Sequence, residues 1–305
     1  MLNKVRFELM MTPILLLLTL IASLSIPSIS LAQPEVLARD VINTLPVWTM
    51  PPYFLRGNGQ IIAVADTGLD TGVNDSSMHD DLKGRIVSIH SWPDQSYGDG
   101  AGDKNSGHGT HVAGIVLGNG AMSGGIYTGV APEARLIFLA FEHLTDRFGY
   151  VNVGIPNDLR SLFEQAYKGG ARIHSNSWEG YNCTGNYTRK SLNIDEFVWN
   201  NPDMLVLFSA GNRGQDADKD NIIDESSPIC ETGIAKNALT VGASENNRPA
   251  IPQTYSGIYI SANKKLPGAI IAGDRVSNNT AGLFARSSRG PTRGGRIKPD
   301  IVAPG

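Results

Sequence analysis

Short apolar runs closed by turn residues recur along the chain: QIIAVA at 60–65, LIFLA at 136–140, ARIHS at 171–175, MLVLFS at 204–209 and ALTVG at 238–242. In most of them apolar positions follow one another rather than alternating with polar ones, the pattern of a strand buried on both faces. Helical spacing lies between them, at 111–117 and at 157–168. In the second stretch Leu159, Leu162, Phe163 and Ala166 form one apolar stripe, and Gly169-Gly170 supplies the stop. Strands alternating with helices predict βαβ units, hence an α/β fold with a mostly parallel central sheet and helices on both faces. Ligands of such sheets bind beyond the carboxyl ends of the strands, so the polar residues directly after each run are the candidates for chemistry.

The amino terminus follows a different pattern. Lys4 and Arg6 precede an apolar run at 14–24, which leads to Ser30-Leu31-Ala32 and Gln33. A basic start, a short apolar middle and small residues before a cut predict a cleaved secretory signal peptide over 1–32. A retained anchor is the alternative, but the run falls short of the roughly 20 residues a bilayer needs. Residues 33–56 then read as an N-terminal extension and 57–305 as the main domain. The expectation is a secreted, extracellular protein with no stable membrane anchor.

Composition changes this picture little. Of 305 residues, 41% are hydrophobic and 18% charged, which is ordinary for a globular chain. Lys plus Arg number 26 against 29 Asp plus Glu, so no basic excess exists to neutralise a nucleic-acid backbone. Cys183 and Cys230 are the two cysteines, and in an exported chain a bridge between them can form and persist. Two buried thiols fit the sequence almost as well.

Three of the run ends carry chemistry. Asp66 follows the first strand in AVADTG; His108 stands among small residues in NSGHGTHVAG, ahead of a helical stripe; Asn212 ends the fourth strand in SAGN. A carboxylate, an imidazole able to act as base near neutral pH and a side-chain amide able to donate to an oxyanion make a set. Each has a competing reading. D-T-G also marks aspartic peptidases, but the second copy, Asp70-Thr71-Gly72, comes four residues on rather than in a separate lobe. His108 and His111 have the spacing of a helical metal pair, though no further ligand pattern supports it. Asn212 alone would be a turn residue.

The order AVADTG, NSGHGTHVAG, SNSW at 175–178, SAGN, SSRGPT at 287–292 and KPDIVAPG at 298–305 resembles the subtilisin-like serine peptidases, the subtilases. Within them, AVADTGLDTGVNDSSMH resembles the KP-43-like alkaline proteases. The resemblance runs over residues 57–305 and implies a subtilisin-like three-layer fold and a secreted serine endopeptidase. Asp66 would orient His108, His108 would be the base, and Asn212 the side-chain donor of the oxyanion hole. Ser177, Trp178 and Glu179 would line the pocket for the substrate residue before the scissile bond. Glycine is usual at the position of Glu179, so its carboxylate either favours a basic side chain or stands exposed and uninvolved. The family's nucleophile lies in a G-T-S-M-A-x-P segment beyond A-P-G, and residues 1–305 contain none. The expectation is that the serine lies outside this chain, that the chain alone is inactive, and that an apolar face is left open for the absent helix. A natural inactive product of the same fold is the alternative. Residues 33–56 are too short for the folding pro-domain usual in the family. Expected partners are protein or peptide substrates, with the enzyme a monomer.

DADKDNIID at 216–224 places Asp216, Asp218, Asp220 and Asp224 at relative positions 1, 3, 5 and 9, much as in a calcium loop, although the closing glutamate is missing. Four aspartates this close repel unless a cation neutralises them. A structural Ca2+ is expected, the alternative being a solvated acidic loop.

Overall fold

A computed structural model describes residues 37–305 apart from 93–98, 146–148, 152–153, 217, 219, 221, 249 and 258–270. The predicted signal peptide, 1–32, therefore lies outside the described residues, as do the first residues of the extension. The rest of the extension forms two short helices, α1 (Ala38–Val41) and α2 (Leu45–Thr49). Trp48 of α2 is buried, donates its indole N–H to Val130 O at 3.0 Å and lies under the Arg56 guanidinium at 4.6 Å. The extension is thereby pinned to the main domain.

Seven strands form one sheet in the order β2-β3-β1-β6-β7-β8-β9, every pair parallel. They are β1 (Ile61–Asp66), β2 (Ile86–Ser91), β3 (Arg135–Ala140), β6 (Ile173–Asn176), β7 (Leu205–Ser209), β8 (Leu239–Ser244) and β9 (Ile301–Pro304). A small antiparallel pair, β4 (His143–Thr145) and β5 (Gly149–Val151), follows β3. The helices are α3 (His108–Leu117), α4 (Arg160–Lys168) and α5 (Arg189–Asn200).

The expected strands and helices are present with ends shifted by up to three residues. β2, α5 and β9 had no counterpart in the apolar pattern. Among the described residues β2 is an edge strand paired only with β3. α5 carries Asn and Asp inside it, which weaken a helix by themselves. It forms because Ile194 and Phe197 bury their side chains in the core and because Ser191 Oγ accepts the Thr188 N–H at 3.1 Å at its start.

Register decides which faces are covered. Ile62 and Val64 of β1 share a face with Leu136 and Phe138 of β3, and Ala113 and Leu117 of α3 pack there. Ala63, Ala65, Ile137, Val206 and Phe208 point the other way, into a core closed by Leu162, Phe163 and Ala166 of α4 and Ile194 and Phe197 of α5. The α3 face continues across β6 to β9 as Ile173, Leu205, Val241 and Ile301. There Ile173 is 36%, Leu205 42% and Ile301 48% exposed. This half of the face is open, whereas its continuation under α3 is buried.

Candidate active site

Asp66 is the last residue of β1 and is almost wholly buried. Its Oδ1 lies 2.6 Å from His108 Nδ1 and accepts the Thr67 backbone N–H at 2.7 Å. His108 opens α3 directly after Gly107, whose left-handed backbone (φ 70°) turns the chain into the helix. The imidazole is thus tethered at Nδ1 while its side chain stays 48% exposed. A tethered, half-exposed imidazole at the carboxyl edge of a parallel sheet can take a proton from a bound group.

The Asp66 bond raises the His108 pKa above its ordinary value; burial works against it, and the charges of Asp66, Asp103 and Glu142 add to it. Glu142, two residues past β3, is itself pushed up by burial, with Asn105 as its hydrogen-bond donor at 3.4 Å.

Asp103 holds the β1 turn and the α3 start together. Its Oδ1 accepts from Thr67 Oγ1 at 3.0 Å, and its Oδ2 accepts the Thr110 N–H at 2.9 Å and the Thr110 hydroxyl at 2.7 Å. Thr67 Oγ1 in turn accepts the Gly109 N–H at 2.9 Å. Gly109 must be glycine, because a Cβ there would meet Gly68 O at 2.3 Å. The Asp66 to His108 distance is therefore set by backbone contact and a carboxylate brace, not by the two side chains alone.

Asn212 comes from β7, two strands away from β1 through β6. Pairing of Ala65 with Asn176 and of Asn176 with Phe208 puts Asp66, Ser177 and Ser209 in one row, so Asn212 stands three residues beyond that row, above the carboxyl edge. Two strand spacings are about 10 Å. The Asn212 side chain is exposed.

The three predicted pocket residues behave differently from one another. Ser177 is half-buried at the edge. Trp178 gives its ring to the core, 5.5 Å from Phe141 and 5.1 Å from Phe208, so only its backbone remains at the edge. Glu179 is neither exposed nor free: Oε1 pairs with Arg213 Nη2 at 2.6 Å and Oε2 accepts the Asn212 N–H at 3.2 Å. Cys183 and Cys230 are bridged just behind it. Closing a loop of this sequence separation, 47, constrains the unfolded chain by about 4 kcal/mol.

In the acidic loop, Asp216, Asp218 and Asp224 each bring a carboxylate oxygen within 4.8 Å of the others. One cation about 2.3–2.6 Å from each oxygen fits that spacing, which is the range of calcium. Asp220 stands outside this group, its Oδ1 accepting the Ile222 N–H at 2.8 Å. The loop is closed by the Asp224 N–H to Gln215 O at 2.8 Å.

Residues 57–305 match the family model described as "Subtilase family". The chain belongs to the subtilase family. It is 28% identical over 317 residues to the serine protease/ABC transporter B family protein tagD of Dictyostelium discoideum, covering 82% of this chain and 16% of that protein. It is 29% identical over 266 residues to the serine protease AprX of Bacillus subtilis (strain 168), covering 82% of this chain and 47% of that one. The chain thus spans less than half the length of these relatives. Among solved structures, the prenylagaramide maturation protease PagA superposes with a TM-score of 0.50 at 17% identity, covering 86% of this chain and 68% of that one. At that identity the likeness concerns the fold, an α/β sheet of parallel strands.

Sequence reasoning missed Asp103, Glu142 and Arg213. Asp103 lies five residues before His108 within a Gly-rich stretch, which was a readable signal. Glu142 and Arg213 had none, since their importance comes from partners more than 30 residues away. Among the described residues, no helix is long and apolar enough to cross a membrane.

Proposed function

We propose that the protein is a secreted serine endopeptidase in which Asp66 and His108 serve a serine supplied by a segment following Gly305. The observation that carries this reading is the 2.6 Å contact between a buried carboxylate and a half-exposed imidazole at the carboxyl edge of the sheet. In the reaction the serine Oγ attacks the scissile carbonyl carbon and His108 Nε2 takes the hydroxyl proton. Asp66 keeps the Nδ1–H tautomer and stabilises the imidazolium that forms. Asn212 donates its side-chain amide to the oxyanion. His108 then passes the proton to the leaving amine, and water repeats the sequence to release the acyl group.

Two features support the missing serine segment as a part that packs onto this domain. No G-T-S occurs in the 305 residues. Ile173, Leu205 and Ile301 of the β6 to β9 face beside α3 are apolar and partly exposed, as expected of a face that a further helix would cover. The disulfide supports an oxidising compartment. Asp216, Asp218 and Asp224 would hold a structural calcium ion, which supplies charge neutralisation to a loop that starts four residues after Asn212. Substrates are protein or peptide chains. The test is hydrolysis of a denatured protein such as casein by the full-length protein. Loss of cleavage in His108→Ala is expected, and equal cleavage by that variant contradicts the reading. The alternative, an inert product of the same fold, predicts no cleavage by either.

A further inference from the structure

We propose that Glu179 is a positioning residue: its carboxylate holds the Asn212 turn in place and, neutralised by Arg213, does not select basic substrates. The proposal rests on the reading of Asn212 as the oxyanion donor. Both carboxylate oxygens are engaged by the protein's own donors, Oε1 by Arg213 Nη2 at 2.6 Å and Oε2 by the Asn212 backbone N–H at 3.2 Å. A carboxylate that reads lysine or arginine must keep its charge uncompensated toward the substrate, and this one does not.

The contact is built rather than incidental. Gly211 has φ 105°, and a Cβ there would lie 2.6 Å from Glu179 Oε2, so the turn approaches the carboxylate only because the residue is glycine. Cys230 Sγ lies 3.3 Å from the same oxygen. Behind Glu179 the loop is fixed by the Cys183–Cys230 bridge and by Gly180 N–H to Thr232 Oγ1 at 3.2 Å. Asn182 O accepts the Glu231 N–H at 2.8 Å, and a Cβ on Gly180 would meet Glu231 Cγ at 2.4 Å. A rigid loop thus presents a carboxylate to the one backbone N–H whose side chain must meet the oxyanion. Such a donor acts through being held in place before the reaction, so loosening its backbone weakens the transition state more than the ground state.

The experiment compares full-length wild type with Glu179→Ala and Glu179→Gln on two peptide amides, one with Phe and one with Lys before the scissile bond. Glu179→Ala is expected to lower kcat about tenfold on both, with KM changed less than about twofold, since losing the whole donor costs about a hundredfold or more. Glu179→Gln keeps a carbonyl oxygen for the Asn212 N–H and recovers most of kcat. A rise in KM confined to the Lys substrate in both variants overturns the proposal and makes Glu179 a specificity residue. Amide hydrogen exchange provides a readout independent of activity. Residues 209–214 exchange faster in Glu179→Ala and at the wild-type rate in Glu179→Gln; unchanged exchange in the Ala variant also overturns the proposal. If wild type cleaves nothing, the proteolytic reading fails while the exchange result still decides the role of Glu179.

Discussion

At the scale of single residues, the site depends on how tightly His108 is held and on the charges around it. Replacing Asp66 by Asn keeps the shape but offers the wrong hydrogen-bond pattern to Nδ1, so kcat should fall by about 10⁴ with little change in KM, measured on a peptide amide. The His108 pKa is raised, first by the Asp66 bond and then by the charges of Asp66, Asp103 and Glu142. The base is active only when neutral, so the acid limb of kcat/KM should lie above the ordinary histidine range. Glu142→Gln removes one of the raising charges and should move that limb to lower pH; a limb that stays in place contradicts the assignment. Asp66 and His108 were legible in the sequence because small residues and turn glycines flank them in a short window. Glu142 and Arg213 are charged residues of kinds common on any surface. What makes them matter is a partner brought close by the sheet, which no local window contains.

At the scale of elements, the parallel strands could be read because burial on both faces leaves continuous apolar runs. α5 could not, since its polar interior is offset by tertiary packing of Ile194 and Phe197. β6 carries a cost of its own. His174 is wholly buried against Phe163, ring centroids 5.0 Å apart, and burial pushes its pKa from 6.5 down to about 3. Between those values the unfolded chain binds a proton that the folded chain refuses, so stability falls as pH drops through that window. The loss from this group at pH 4.5 relative to pH 7 is about 2–3 kcal/mol. Urea denaturation at the two pH values should show a drop that His174→Leu makes smaller; an equal drop in the variant contradicts the argument. The acidic loop belongs to the same scale. If Asp216, Asp218 and Asp224 hold calcium, a chelator should lower the Tm of the full-length protein by roughly 5–10 °C, whereas an unmoved Tm contradicts the site.

At the scale of the whole molecule, the sheet is covered unevenly. α4 and α5 close one face, and α3 closes half of the other, leaving Ile173, Leu205 and Ile301 partly in water. The register shows that the open part of the face adjoins α3. The sequence pattern alone could not locate this face, because exposure depends on which helices cross the sheet and not on the strands' own residues. Asp66, His108 and Asn212 stand at or just beyond one sheet edge, beside this partly exposed apolar face. The most direct measurement is mass spectrometry of the full-length protein after reaction with a fluorophosphonate, alongside His108→Ala. The account predicts one labelled serine in a peptide beyond residue 305 of wild type and little or no label in the variant. No label on wild type, or equal labelling of both proteins, would contradict it.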